Sequence, residues 1–136
     1  MTREGIIEFI REMNIGYMAT MDNNNRPRVR PMGIHTIYDK DIYFFTFKNT
    51  RKVNELTDNP QVEVVWANPK TLSQVRICGD ATLVDDENVQ QRFKNDEPIV
   101  GKILPPGAEH LFCLYKITPE KVEVAEGLVP YKEIAW

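Results

Sequence analysis

The chain has 136 residues, 42% hydrophobic and 27% charged, values that suit one globular domain with a real core and exclude wholesale disorder. Its net charge of −3 and pI near 5.4 exclude general binding to nucleic acid or to an anionic membrane surface. That charge is unevenly spread. Between Arg26 and Lys52, seven cations face only Asp39 and Asp41, a net +5 that leaves −8 for the remainder. A basic segment in an acidic protein suits a small anionic ligand.

Residues 1–136 are expected to form a single domain, since no repeat, low-complexity tract or linker divides them. Cys78 and Cys113 stand in no CxxC or metal-ligand spacing, so free thiols and no metal centre are expected. Met1 to Gly5 lacks a basic region followed by an apolar run. No apolar stretch approaches the roughly 20 residues that span a bilayer. A cytoplasmic protein is the expectation.

Thr2 to Met13 has helical spacing, with Ile6, Ile10 and Met13 on one face and Arg3, Glu4, Glu8, Arg11 and Glu12 on the other. Tyr17 to Met21 reads as a strand, the Asp22–Asn25 cluster as a turn, and Pro27 to Tyr38 as the hairpin's second strand. Pro31 and Gly33 are poor choices for a regular central strand; they mark an edge, a bulge, or backbone brought close to a ligand.

Ile42 to Phe47 is an apolar, aromatic strand that turns at Asn49-Thr50 into a helix start. Thr50 suits the N-cap, where its hydroxyl can accept from orphan amides. The first turn then carries Arg51 and Lys52, at the positive end of the helix dipole where acids are favoured. Two readings fit: an anion site built from amides, a hydroxyl and two cations, or two solvated surface cations.

After the Asp58-Asn59-Pro60 break, Gln61 to Trp66 alternates as a strand with Val62, Val64 and Trp66 on one side. Ser73 to Val84 alternates in the same way over a longer run. Asp85 to Asn95 reads as a helix capped by Asp85 or Asp86, and Pro98 to Leu104 as a second, shorter one. His110 to Ile117 and Lys121 to Ala125 read as strands on either side of a Thr118-Pro119-Glu120 turn. About six strands with short connections and helices at the corners define a mainly β fold, an antiparallel barrel with helical insertions.

No GxGxxG, GxxxxGK[ST], HExxH or GxSxG motif occurs. His35 and His110 have no companion ligands, no nucleophile–base pair declares itself, and no catalytic residue is assigned. Redox chemistry, if present, would belong to a cofactor.

Arg28-Val29-Arg30-Pro31-Met32-Gly33-Ile34-His35, Phe44-Phe45-Thr46, Thr50-Arg51-Lys52 and Asn59-Pro60-Gln61-Val62 together resemble the pyridoxamine 5′-phosphate oxidase-like, FMN-binding split-barrel family. The resemblance is good from Gly16 to about Val84 and loose elsewhere. It implies a six-stranded antiparallel split barrel, a homodimer with FMN at the subunit interface, and a flavin-dependent oxidoreductase of unassigned substrate. By the same likeness, Arg30 would contact the phosphate, and backbone amides near Met32 to Ile34, exposed by the irregularity at Pro31 and Gly33, would approach the ring. Phe45 and Thr46 would lie beside the isoalloxazine and ribityl groups, and Thr50, Arg51 and Lys52 would hold the phosphate. Gln74 would reach the flavin of the partner subunit. His35 stands where the oxidase usually has Lys, and Phe45 where it often has Tyr. Nothing from His110 to Trp136 resembles the oxidase's C-terminal Arg and His substrate motif, which implies a different substrate. Alternatives within the fold are a flavin-binding or redox-sensing protein without turnover, and a barrel that uses deazaflavin or haem.

Overall fold

The computed structural model describes residues 1–136. Helix α1 (Arg3–Met13) starts at Thr2, whose hydroxyl accepts from the Gly5 amide, and buries Ile6 and Ile10. The strands are β1 (Gly16–Met21), β2 (Pro27–Met32), β3 (His35–Tyr38), β4 (Asp41–Phe47), β5 (Gln61–Asn68), β6 (Ser73–Leu83), β7 (Phe112–Ala125) and β8 (Lys132–Ile134). Helix α2 (Arg51–Asp58) follows β4, and α3 (Glu87–Asp96) and α4 (Ile99–Ile103) lie between β6 and β7.

All sheet pairings are antiparallel, in the order β2-β1-β5-β6-β7-β4-β3, with β8 on the far end of β7. The two edge strands, β2 and β3, are joined by Gly33 and Ile34 alone. A flat sheet would hold its first and seventh strands roughly 29 Å apart, whereas three Cα steps from Met32 to His35 reach at most about 11 Å. The sheet must therefore roll until its edges meet. The result is the antiparallel split barrel expected from the sequence.

Eight strands replace the expected six. The Pro27–Tyr38 strand breaks at Gly33-Ile34 because its two halves pair on opposite edges, β2 with β1 and β3 with β4. Thr118-Pro119-Glu120 is not a turn; β7 runs straight through it, with the register shift opposite Cys78 and Gly79. A Cβ on Gly79 would lie 2.1 Å from the Thr118 carbonyl oxygen, so only glycine admits that approach. The tail adds β8 to the Val122–Val124 end of β7.

The main core fills the barrel, with Met18, Phe44, Val62, Val64, Trp66, Val75 and Ile77 packed against Ile6 and Ile10. A second cluster lies outside, where Phe45, Phe112 and Leu114 meet Phe93 and Val100 of α3 and α4. Strand β4 is thus covered on both faces, which explains its unbroken apolar sequence. Asp86, rather than Asp85, caps α3 by accepting from the Asn88 and Val89 amides. Both cysteines are free thiols. No helix is long and apolar enough to cross a membrane.

Candidate functional site: a cation corner at the start of α2

Three elements meet at the N-terminal end of α2. From β4, Phe44 and Thr46 point into the barrel; from β2, Arg30 lies opposite Met18 of β1 and points the same way. From α2 come Arg51, Lys52 and Glu55.

Arg30 is the most constrained of these groups. Its Nη1 donates to Thr20 Oγ1 at 2.6 Å and to the Met18 carbonyl at 3.4 Å, while Nη2 donates to Glu55 Oε1 at 2.9 Å. Thr20 Oγ1 donates onward to the same Glu55 oxygen at 3.2 Å. Burial pulls the Arg30 guanidinium below its ordinary pKa, and Glu55 opposes that pull. Its side chain keeps 19% exposure, so the charge still reaches the surface.

Lys52 has no such partner. It is half-buried, donates to the hydroxyl of Thr46 at 3.3 Å, lies 6.0 Å from the Phe44 ring centre, and forms no salt bridge. Burial lowers its pKa first, the neighbouring Arg30 charge adds to that, and Glu55 works in the opposite direction. Arg51 beside it is exposed and unpaired, and its charge presses on Arg30 as well. No acidic residue occupies the first turn of α2.

Thr50 has the extended backbone of an N-cap, but its hydroxyl makes no capping bond. It donates instead to the Phe47 carbonyl at 2.9 Å. The first-turn amides of α2 therefore lack a side-chain acceptor, and an anion there would meet amides and cations together. Arg30, Thr46, Arg51 and Lys52 are the sequence candidates that the fold brings into one corner.

The other candidates lie elsewhere or face away. The Phe45 side chain packs on Phe47 and Phe112 under α3 and α4, since neighbours in a strand point to opposite faces; only its backbone borders the Thr46 side. Met32 is buried in the core. Pro31 faces outward beside Tyr17, and a Cβ added to Gly33 would meet nothing nearer than 3.9 Å, so the backbone there is open. Gln74 accepts from the Tyr131 hydroxyl, and Arg76 stacks 4.3 Å over the Tyr131 ring, so the tail engages Gln74 within its own chain. Trp136 docks on the barrel, donating to the Lys40 carbonyl at 2.7 Å.

His35 is held by structure. Its Nε2 meets the carbonyl of Asn14, which ends α1, and the Trp66 indole N–H points at the same nitrogen from 3.4 Å. Burial lowers its pKa from 6.5, opposed by the Asn14 contact. An imidazole that is harder to protonate when folded makes stability fall as pH drops below about 6.5 and through the lower folded value. His35→Gln should flatten that acid limb in thermal unfolding measured from pH 7 to pH 5; an unchanged slope would assign the limb to other groups.

Glu55 is the residue that sequence reasoning missed. Helical spacing points Val53 and Leu56 inward, and an acid three and four residues after Lys52 and Arg51 looks like an ordinary surface pair. Its burial depends on Arg30, which comes from a strand 25 residues earlier.

A rolled antiparallel sheet with cations gathered at a strand-to-helix corner defines a split-barrel protein with a cation-rich corner. The family model described as pyridoxamine 5′-phosphate oxidase matches residues 2–125, and the chain belongs to that family. A pyridoxine/pyridoxamine 5′-phosphate oxidase of Deinococcus deserti is 35% identical over 84 residues, 62% of this chain and 39% of that protein. One from Leptospira interrogans is 28% identical over 110 residues, 79% of this chain and 51% of the relative. The matches thus span about two fifths to one half of these relatives' length. Among solved structures, a NimC/NimA family protein from Clostridium acetobutylicum superposes with a TM-score of 0.83 at 20% identity, covering 98% of this chain and 91% of that one. A pyridoxamine 5′-phosphate oxidase-related, FMN binding protein from Nostoc punctiforme gives 0.70 at 19%, covering 98% and 97%. At these identities the two structures speak for the fold.

Proposed function

We propose that the chain binds FMN, with the phosphate at the Arg30–Lys52 corner, and acts as a flavin-dependent oxidoreductase in a homodimer. The observation that carries this reading is Lys52: a half-buried cation, satisfied by a neutral hydroxyl, beside a second fixed cation at an uncapped helix start. Burying such a charge is unfavourable without a counter-ion, and a phosphate supplies one. The FMN binding protein from Nostoc punctiforme shares the fold and supports the choice of ligand.

In this reading Lys52, Arg51, Arg30 and the first amides of α2 hold the phosphate. Thr46 fixes Lys52 from the barrel side, and the open backbone at Gly33 leaves room beside the ring. A bound flavin supplies hydride exchange at its ring. The groups of the corner bind and orient; Glu55, its one carboxylate, is tied to Arg30 and Thr20. That commitment also favours a second reading, a flavin-binding protein without turnover.

A homodimer is supported by an apolar strip on the outer face of β1 and β2. Ile15, Tyr17 and Val29 are exposed there, Val29 at 67%, with Pro31 alongside. Such a strip suits burial against a second copy. An absorption spectrum of the purified protein, an FMN titration and the native mass test these points together. A yellow or FMN-saturable dimer supports the proposal, and a colourless monomer that takes up no FMN refutes it. Reduction by NADH or NADPH separates turnover from binding alone. His35, the one histidine on the β3 edge that could offer a haem ligand, has its Nε2 engaged by Asn14 and Trp66.

A further inference from the structure

We infer that Glu55 is a positioning residue that fixes Arg30 in the corner and, through its charge, limits how tightly the corner takes a phosphate group. The inference rests on reading the corner as an anion site. Three observations lead to it.

Glu55 is 3% exposed, although it sits on a short surface helix whose first turn carries two cations and no acid. Its Oε1 closes a triangle of hydrogen bonds: Arg30 donates to it and to Thr20, and Thr20 donates to it in turn. That triangle holds the guanidinium by two nitrogens and fixes its direction. Finally, Glu55 Oε2 is buried and has no hydrogen-bond partner.

The orphan oxygen separates this role from simple neutralisation. A carboxylate that only compensates a buried arginine does best side-on, with both oxygens on the fork. Here one oxygen does all the holding, and the other is buried without a donor. Glu55 works against the burial that lowers the pKa values of Lys52 and Arg30, so its charge is felt where the phosphate would bind. A unit charge a few ångströms from an anion near a protein surface alters affinity by about tenfold or more. The corner therefore gains a fixed arginine at the expense of part of its attraction for anions.

Glu55→Gln separates position from charge, because an amide oxygen can still accept from Arg30 and Thr20 while the negative charge is gone. Calorimetric titration with inorganic phosphate should give about tenfold tighter binding in Glu55→Gln than in wild type. Glu55→Leu removes the anchor too, and should bind phosphate more weakly than Glu55→Gln. Binding in Glu55→Gln that equals or falls below wild type overturns the inference, as does absence of phosphate binding in both. Equal affinities for Glu55→Gln and Glu55→Leu overturn the positioning role. If Glu55→Leu does not fold, the Glu55→Gln comparison decides alone, with melting midpoints taken with and without phosphate as the check on folding. FMN titrations of the same preparations keep the two ideas apart. Tighter phosphate binding in Glu55→Gln alongside no FMN uptake in any variant would sink the FMN proposal and leave this inference standing.

Discussion

Lys52→Glu is expected to abolish flavin retention, while Lys48→Glu changes it by about twofold or less. The two lysines are four residues apart, and both lie in the basic segment, but they occupy different surroundings. Lys52 is half-buried beside Thr46 and Arg30. Lys48 is exposed and lines a separate cavity with Val84, Gln90, Lys94 and Cys113, on the α3 side of the barrel. Reversing Lys52 removes one charge-assisted bond to phosphate and adds a repulsive neighbour. With such bonds worth about 1.5–3 kcal/mol, the combined loss is on the order of 100-fold or more in affinity. Flavin absorbance per protein and fluorescence titration measure it. Equal losses from both variants would mean a diffuse basic surface in place of a site.

Arg30→Ala should lower folding stability by about 3 kcal/mol, the low end for breaking a buried ion pair. The low end applies because Arg30 keeps 19% exposure. Most of the loss comes from what stays behind: a Glu55 carboxylate that is 3% exposed, already short of one partner, and left with Thr20 alone. Urea denaturation gives the number. Because the cost belongs to the stranded carboxylate, Arg30→Ala with Glu55→Gln should recover about half of it, a coupling that a double-mutant cycle reads directly. Additive losses would show that Arg30 and Glu55 stabilise the fold independently. Flavin retention should fail in both Arg30 variants, since the phosphate loses its fixed cation either way.

Much of the fold was legible because its local signals agreed with its global pairing. Ile6 and Ile10 are buried on the inner face of α1, as the helical spacing required. Val62, Val64 and Trp66 face inward from β5, as period-two alternation required. The failures were tertiary. Pro31 and Gly33 announced an irregularity, but the crossing from one sheet edge to the other depends on β4 and β1, which lie far off in sequence. Thr118-Pro119-Glu120 has turn composition, yet Gly79 on the neighbouring strand makes room for it within β7. At the site, the cations at the start of α2 could be read locally because they contradict the helix dipole. Glu55 could not, since an acid one turn after two cations has the spacing of an ordinary surface ion pair on a helix. Only the arrival of Arg30 from β2 makes it a buried group.

The relative affinity for FMN and riboflavin tests the central claim most directly, because the two ligands differ only in the phosphate that the corner is proposed to hold. Two charge-assisted contacts, from Arg30 and Lys52, correspond to roughly 3 kcal/mol or more, so FMN should bind at least about 100-fold more tightly than riboflavin. The preference should collapse in Lys52→Glu. Equal affinities for the two flavins, or a preference that survives Lys52→Glu, would contradict the account.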